Sequence, residues 1–300
     1  MPARLAAADR RRRGDAPAGG MVPRAPRGDP AGQPGIHPRG RALTQAGRGQ
    51  PPHLYVLVPL LNESPNVARL LAGFRRLEEG LVGQMQCAAV FIDDGSTDGT
   101  GEKIREEKGS LAVEVLRHER NLGPGRAFGT GFAHLAPRLA EADWVATMEG
   151  DNTSRIDTLQ QMLVRRREGF EVVLASPYMY GGGMTNNTPL RVFLSHGANS
   201  LIKELLGIHG ILTMSSFFRL YSAPVLKRLQ TRYGPAILET PGFECMVELL
   251  AKLIQVGATI SEVAMPLDGS LRAGQSKMRI ARTIAGYLRL FWVGRKWRVR

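Results

Sequence analysis

Short apolar runs that alternate with helical runs are the feature that most constrains the fold of this 300-residue chain. Strands that alternate with helices along a sequence build a parallel sheet that is covered by helices on both faces. We therefore predict an α/β fold with a Rossmann-like, mostly parallel sheet. The strands are expected at 54–58, 86–92, 111–116, 144–148 and 171–175, and the helices at 65–77, 100–108, 125–135 and 156–167.

The second half of the chain has a less regular pattern. In the first half, we expect Ser64 at the N-cap and Pro65 at the first position of the 65–77 helix. The later elements are predicted as helices at 189–206 and 241–256, a strand-like stretch at 214–221 and a strand at 258–265.

The net charge of +13 is concentrated at the two ends of the chain. Residues 1–50 carry ten Arg and three Asp, and residues 277–300 carry eight Lys or Arg and no acid, which leaves 51–276 at −2. A nucleic-acid-binding domain presents its basic face on the folded part of the chain. Nucleic acid is therefore not among the expected partners.

This distribution predicts three parts. Residues 1–50 are rich in Arg, Ala, Gly and Pro and contain no Phe, Tyr or Trp, so they bury too little apolar area to offset the entropy of ordering. We predict a disordered extension there, whose arginines at 10–13 are either a tether to an anionic surface or part of an unselected extension. Residues 51–276 are predicted to form the folded domain.

Residues 277–300 are predicted to form a basic amphipathic helix. Such a helix can lie on an anionic membrane surface, with its apolar face in the acyl boundary and its cations on the headgroups. The alternative is that its apolar face packs on the folded domain. The apolar face would carry Ile280, Ile284, Leu288 and Phe291, and another side would carry Arg282, Arg289 and Lys296.

The sequence favours a reducing compartment. Cys87 and Cys245 lie in apolar surroundings without the CxxC spacing of a metal or redox site. No apolar run approaches the roughly 18 residues of a membrane span, and the N-terminal residues lack the apolar stretch of a secretory signal. We expect a cytoplasmic protein, peripheral at the inner face of a membrane.

Acidic side chains follow the second predicted strand. The turn contains Asp93, Asp94, Gly95 and Asp98, and carboxylates this close repel one another unless a ligand or cation lies among them. Carboxylate oxygens can accept hydrogen bonds from a base N–H or a ribose hydroxyl, which favours a nucleotide site. The alternative is a solvated turn in which Thr97 or Asp98 caps the next helix.

A second acidic turn follows the fourth predicted strand. Glu149 and Asp151 are one residue apart, so both can bind a hard cation that also bridges a diphosphate. Mg²⁺ takes one or two protein carboxylates and completes its shell with water and phosphate oxygens. Mg²⁺ or Mn²⁺ is therefore the expected cofactor, and a turn that only caps the following helix is the alternative.

Two Gly-containing loops complete the set of polar clusters. The loop at 121–129 is similar to a dinucleotide fingerprint, but it follows the third strand instead of the first, so a Rossmann oxidoreductase is not favoured. Near the end of the folded part, Arg272 and Lys277 suit phosphate groups, Arg through its bidentate fork and Lys as a point charge.

In order and spacing, these clusters resemble the family 2 glycosyltransferases of GT-A fold, specifically their dolichol-phosphate or polyprenyl-phosphate mannose synthase branch. The resemblance covers roughly residues 54–277. Its most specific parts are Asp-Asp-Gly-Ser-Thr-Asp-Gly-Thr at 93–100, Asn-Leu-Gly-Pro-Gly at 121–125 and Arg-Ala-Gly-Gln-Ser-Lys at 272–277.

The resemblance implies an inverting transfer of a hexose, mannose or glucose, from a nucleoside-diphosphate sugar to a polyprenyl phosphate or another lipid-linked acceptor. Glu149 and Asp151 would be the metal motif, and Asp151, Arg272 and Lys277 the catalytic residues, the last two facing phosphates. The nucleotide pocket would be lined by Pro59, Asn62, Glu63, Asp93, Asp94 and Gly95.

Three departures from the family pattern leave the acceptor and the sugar open. Glu149 stands where the family has Asp, the usual Gly-Ser-Arg-Tyr reads Ala-Ser-Pro-Tyr at 175–178, and an acid and a Gly of a later stretch are Thr213 and Phe217. A phosphate acceptor needs no protein base, because its second pKa is about 6.

A hydroxyl of a glycolipid or glycan would need such a base, for which Asp157, Glu239 and Glu244 are candidates. That second kind of acceptor and a non-catalytic nucleotide-binding module remain as alternatives.

Overall fold

The computed structural model describes residues 51–186, residues 197–234 except 198 and 205, residues 237–271, and Gly286. The strands are β1 His53–Leu60, β2 Gln86–Asp93, β3 Val113–Arg117, β4 Trp144–Thr147, β5 Val172–Ser176, β6 Gly183–Thr185, β7 Arg219–Ser222, β8 Ile260–Ala264 and β9 Pro266–Asp268. The helices are α1 Val67–Leu81, α2 Thr100–Glu107, α3 Pro124–Leu135, α4 Asp157–Arg166, α5 Ala223–Tyr233 and α6 Cys245–Gln255, and residues 199–204 are also helical.

Seven strands form one sheet in the order β3-β2-β1-β4-β7-β5-β8. Its strands run parallel except for β7, which is antiparallel to both β4 and β5. Strands β6 and β9 pair separately as a short parallel ribbon. The predicted α/β fold with a mostly parallel sheet is confirmed.

The core lies on both faces of this sheet, as a parallel sheet requires. Phe91 of β2 meets Phe74 of α1 edge to face, with 5.6 Å between ring centroids. On the opposite face, Leu57 of β1 lies against Gly131 of α3. A Cβ added to Gly131 would be only 3.0 Å from a Leu57 methyl group, so the glycine allows the helix to approach closely. Helices therefore cover both faces at the strands that carry the polar turns.

Some predicted boundaries are wrong for local reasons. Ser64 does not cap the first α-helix, because residues Ser64–Asn66 form a separate 3-10 turn and α1 begins at Val67. The predicted strand at 214–221 is reduced to Arg219–Ser222, since the carbonyls of Met214 and Ser216 accept hydrogen bonds from the Arg219 side chain instead of a neighbouring strand.

The later elements also differ in extent from the prediction. The strand predicted at 258–265 is β8, Ile260–Ala264, and β9 is a further short strand that begins at Pro266, beyond the predicted range. The helix predicted at 241–256 begins only at Cys245, after a turn in which Gly242 N lies 3.3 Å from Glu244 Oε1. Of the predicted helix at 189–206, residues 189–196 lie outside the described part, as do the predicted extension at 1–50 and all of 277–300 except Gly286.

Within the described residues, no helix is long and apolar enough to cross a membrane. Both cysteines are free. Burial raises the pKa of the Cys87 thiol to about 12 and raises that of the fully buried Cys245 thiol as well. Neither thiol is therefore ionised near neutral pH.

Candidate functional site

The carboxyl ends of β1, β2 and β4 meet at one edge of the sheet. Asp94 N donates a hydrogen bond to Leu60 O (2.8 Å), and Met148 N donates to Leu57 O (3.1 Å). The end of β1 is thus bonded to the turn after β2 on one side and to the turn after β4 on the other. The two predicted acidic turns are neighbours because β1 lies between their strands.

Asp94 connects the first acidic turn to the Gly-rich loop at 121–125. Its Oδ1 accepts a hydrogen bond from Leu122 N (2.9 Å) and its Oδ2 accepts one from Gly123 N (2.8 Å). His118 Nδ1 lies 2.7 Å from Asp94 Oδ1, and its Nε2 lies 2.9 Å from Thr130 Oγ1. The carboxylate is 4% exposed at this junction.

Asp93 is directed to the other side of the turn. It is fully buried, and its Oδ1 accepts a hydrogen bond from Ser96 N (2.8 Å). Its Oδ2 has no hydrogen-bond partner among the described residues and lies 3.8 Å from Arg117 Nε. Asp93 therefore supports the turn in the structure, and its nucleotide contact stays a prediction.

Gly95 is required where the turn approaches the Gly-rich loop. Its φ is +77°, and a Cβ there would be 2.5 Å from the carbonyl carbon of Arg120. A side chain at this position would be strained and would also push the two loops apart. The closeness of the turn and the loop thus depends on this glycine.

The segment after β1 is fixed to the same turn. Asn62 has a left-handed φ of +52°, and its amide N donates to Ser96 Oγ (2.9 Å) while its Oδ1 accepts from Thr97 N (2.8 Å). Glu63 N donates to Thr100 Oγ1 (2.8 Å). Pro59, Asn62 and Glu63 therefore lie beside the Asp94 turn, where the sequence predicted a nucleotide pocket.

Asp98 closes this arrangement from the exposed side. Its Oδ2 accepts a hydrogen bond from Ser64 N (3.0 Å), and its Oδ1 accepts one from Thr100 N (3.1 Å). Burial opposes the charged carboxylate, but the hydrogen bonds from Thr100 and Ser64 outweigh it and lower the pKa of Asp98. Asp98 thus ties the segment after β1 to the start of α2, whose N-cap is Gly99.

The second acidic turn is half-buried and internally bonded. Glu149 Oε2 accepts a hydrogen bond from Ser154 Oγ (2.7 Å). Asp151 Oδ1 accepts hydrogen bonds from Thr153 N (3.0 Å) and Thr153 Oγ1 (2.6 Å). Between them, a Cβ on Gly150 would overlap a Leu60 methyl group, so the turn lies directly on the end of β1.

One amide side chain joins the two acidic regions. Asn152, with a φ of +62°, donates from Nδ2 to Asn66 O (3.1 Å) and to Asn66 Oδ1 (3.2 Å). Asn66 Nδ2 in turn donates to Glu63 Oε2 (2.5 Å). The turn after β4 is thus hydrogen-bonded to the segment after β1.

The residues present fit a divalent ion that is completed by its substrate. Glu149 and Asp151 supply two carboxylates on one turn, and the described residues contain no cluster of three or more metal-ligating side chains. Mg²⁺ and Mn²⁺ sites of this kind use one or two carboxylates, water and phosphate oxygens. The donor set therefore suits an ion that arrives with a diphosphate.

Sequence reasoning missed His118, Thr130, Asn66 and Asn152. His118 had a detectable signal, because it comes two residues after the strand predicted at 111–116, where ligand-binding loops begin. The two asparagines had none, since their role depends on segments 86 residues apart in sequence. The predicted phosphate-binding residues Arg272 and Lys277 lie outside the described part of the chain.

In open α/β sheets of this class, ligands bind in the crevice outside the carboxyl ends of the strands, which is where the polar turns of this sheet lie. The fold is similar to that of glucosyl-3-phosphoglycerate synthase from Mycobacterium tuberculosis in complex with Mn²⁺ and UDP-glucose. The TM-score is 0.58 at 17% sequence identity, and the match covers 82% of this chain and 79% of that one. The predicted GT-A fold is confirmed.

The family model described as Glycosyl transferase family 2 matches residues 55–230, and the protein belongs to this family. A dolichol-phosphate mannosyltransferase of Pyrococcus furiosus is 28% identical over 244 residues, which cover 81% of this chain and 63% of that protein. A polyprenol monophosphomannose synthase of Mycolicibacterium smegmatis is 27% identical over 227 residues, covering 74% of this chain and 80% of that protein. This chain thus matches less than two thirds of the first relative's length.

Proposed function

We propose that this protein transfers a hexose from a nucleoside-diphosphate sugar to a polyprenyl phosphate, with inversion at the anomeric carbon. The observation that carries the proposal is that the Asp94 turn and the Glu149–Asp151 turn are both hydrogen-bonded to the end of β1 and the segment after it, at one sheet edge. Such a pair of turns would allow a nucleotide and a diphosphate-bound cation to bind side by side. The names of the two relatives motivate the polyprenyl phosphate acceptor.

Asp94 Oδ2 is the proposed acceptor for the nucleotide. It accepts one protein hydrogen bond, from Gly123 N, whereas Oδ1 already has both Leu122 N and His118 Nδ1. A carboxylate oxygen has two lone pairs, so Oδ2 retains one for a base N–H or a ribose hydroxyl. Pro59, Asn62, Glu63 and Gly95 would complete the wall of the pocket.

Glu149 and Asp151 are the proposed ligands of Mg²⁺ or Mn²⁺. When bound, the ion would stabilise the charge that develops on the leaving diphosphate. Arg272 and Lys277 are proposed to contact phosphates of the donor or the acceptor. Direct displacement by the acceptor would invert the anomeric centre.

The described surroundings of the three candidate bases favour an acceptor that is already ionised. Asp157 is exposed and paired with Arg155 (3.1 Å), Glu239 is paired with Lys252 (3.2 Å), and Glu244 is 6% exposed. A phosphate acceptor needs none of them, because it is anionic near pH 7. We also propose a cytoplasmic location at the inner face of a membrane, where such an acceptor is found.

A panel of radiolabelled nucleotide sugars, each incubated with and without a polyprenyl phosphate and with Mg²⁺ or Mn²⁺, tests the proposal. We expect label in the lipid phase only when the metal ion, the polyprenyl phosphate and one donor are all present. Transfer to a hydroxyl of a glycolipid or glycan would show that the acceptor is not a polyprenyl phosphate. Nucleotide binding without transfer to any acceptor would contradict the enzymatic function.

A further inference from the structure

A buried ion pair on α6 holds the loop at 237–241. The side chains of Glu248 and Lys252, one helical turn apart, are both fully buried, with 2.6 Å between Lys252 Nζ and Glu248 Oε1. Glu248 Oε1 also accepts from Glu239 N (2.8 Å), and its Oε2 accepts from Thr240 N (2.8 Å) and Thr240 Oγ1 (2.6 Å). Lys252 Nζ donates to Ile237 O (3.0 Å). The hydrogen bonds from Glu248 and Lys252 to residues outside α6 thus all go to the loop at 237–241.

Stability alone does not account for such a pair. The desolvation of two charges offsets their attraction, and replacing a buried ion pair by apolar side chains is often neutral or stabilising. What the carboxylate of Glu248 provides is geometry, since its two oxygens fix the consecutive amides of Glu239 and Thr240. The backbone of the 237–241 loop is therefore held in one position relative to α6.

The loop contacts the Gly-rich loop of the candidate site, backbone against backbone. Gly125 N donates to Pro241 O (2.8 Å). A Cβ on Gly125 would overlap Thr240 O, and a Cβ on Gly123 would overlap Pro241 O. Because no flexible side chain lies between the two loops, a shift of 237–241 is transmitted directly to Gly123 and Gly125.

Gly123 connects the 237–241 loop to Asp94, the proposed nucleotide contact. Its N–H is the donor to Asp94 Oδ2, the oxygen whose remaining lone pair is proposed to meet the nucleotide. We propose that Glu248 is a positioning residue for the nucleotide pocket, acting through the 237–241 loop and the Gly-rich loop on Asp94. The inference rests on the proposed function for the identity of the ligand.

Two variants and one control test this role. Glu248→Gln keeps the shape of the side chain but leaves a single acceptor oxygen for the two amides. Glu248→Gln combined with Lys252→Met also removes the buried ammonium, which in the single variant keeps only Glu239 as its charged partner. The control is Asp143→Asn, a buried carboxylate that accepts from His53 N (2.8 Å) and Ala140 N (2.8 Å) at the opposite edge of the sheet, where β1 and β4 begin.

The first measurement is calorimetric affinity for UDP and GDP in the presence of Mn²⁺. We expect both Glu248 variants to bind about tenfold more weakly, the lower end of the roughly 10–100-fold that the loss of an outer partner of a metal ligand costs. We expect Asp143→Asn to bind like the wild type even if its melting temperature falls. The double variant should regain stability relative to Glu248→Gln without regaining affinity.

The second measurement is hydrogen exchange at the amides of Leu122, Gly123 and Gly125, which needs no ligand. These amides should exchange faster in both Glu248 variants than in the wild type or in Asp143→Asn. Wild-type exchange and wild-type affinity in the Glu248 variants would overturn the positioning role. A wild-type protein that binds neither nucleotide contradicts the proposed function instead, and the exchange rates then still decide whether Glu248 holds the loop.

Discussion

Asp94 has more protein hydrogen bonds than a residue that only contacts a ligand would need. Its two oxygens hold consecutive amides of the Gly-rich loop, so its replacement affects the loop as well as the ligand. Asp94→Asn leaves one acceptor oxygen, and one of the two amides loses its partner.

We expect Asp94→Asn to reduce the free energy of unfolding by about 1–3 kcal/mol, the usual cost of leaving a buried donor unpaired. Nucleotide affinity should fall as well. Denaturant unfolding and calorimetry measure the two effects separately. Unchanged stability would contradict the role of Asp94 as an anchor of the loop. Unchanged affinity would show that the nucleotide does not bind at Asp94.

Asp151→Asn should abolish metal-dependent transfer without unfolding the protein. The amide oxygen can still accept from Thr153, but a neutral group binds a hard divalent ion poorly. A catalytic metal ion contributes several kcal/mol, so we expect a loss of about 100-fold or more in kcat. Glu168→Gln, which neutralises an exposed carboxylate paired with Arg165 just after α4, is the control and should change little. Equal activity of Asp151→Asn and the wild type would end the metal assignment.

The sequence identified these acidic residues, but it could not tell which of two adjacent acids is buried and which faces the candidate site. Successive side chains along a strand point to opposite faces, so Asp93 and Asp94 have opposite environments at the end of β2. The spacing alone does not tell which of the two is the buried one. Glu248 was equally hidden, because its role depends on a loop that packs on another loop more than a hundred residues away in the sequence.

At the scale of elements, the link through Asn152 makes the two acidic regions one unit. Asn152→Gly keeps the left-handed backbone without strain and removes only the hydrogen bonds to Asn66. We expect the gain in nucleotide affinity that Mn²⁺ produces to shrink by up to about tenfold, since a hydrogen bond is worth about 1 kcal/mol.

The matched control for this link is Asn186→Gly. Asn186 also has a positive φ, +55°, but its side chain bonds Asp268 of β9 and neither acidic turn. Titration of each variant with nucleotide, with and without Mn²⁺, gives the coupling. Equal coupling in Asn152→Gly and the wild type would show that the two regions bind independently.

Elements were predictable where the sequence pattern is local. The strands and helices of the first half follow the expected ranges within a few residues, because burial on both faces gives continuous apolar runs. The stretch at 214–218 was not predictable. Its carbonyls are used by the buried guanidinium of Arg219, which also donates to Met246 O (2.8 Å), and no period in the sequence reports that arrangement.

For the whole molecule, the end of the chain is the part expected to meet a membrane. In the helix predicted at 277–300, the apolar face would carry Ile280, Ile284, Leu288 and Phe291. The cations on another side of that helix would then meet anionic headgroups.

We therefore predict salt-sensitive binding of the full-length protein to anionic vesicles, and loss of that binding on truncation after Lys277. Each Lys or Arg near such a surface contributes about 1 kcal/mol, and the truncation removes seven of them. Vesicle sedimentation at low and high salt measures the binding, with neutral vesicles as the control. The truncated protein should still bind nucleotide, because the Asp94 and Glu149–Asp151 turns lie wholly within the retained part. Indifference of the full-length protein to anionic vesicles at low salt would make the helix a packing element and remove this support for a lipid-linked acceptor.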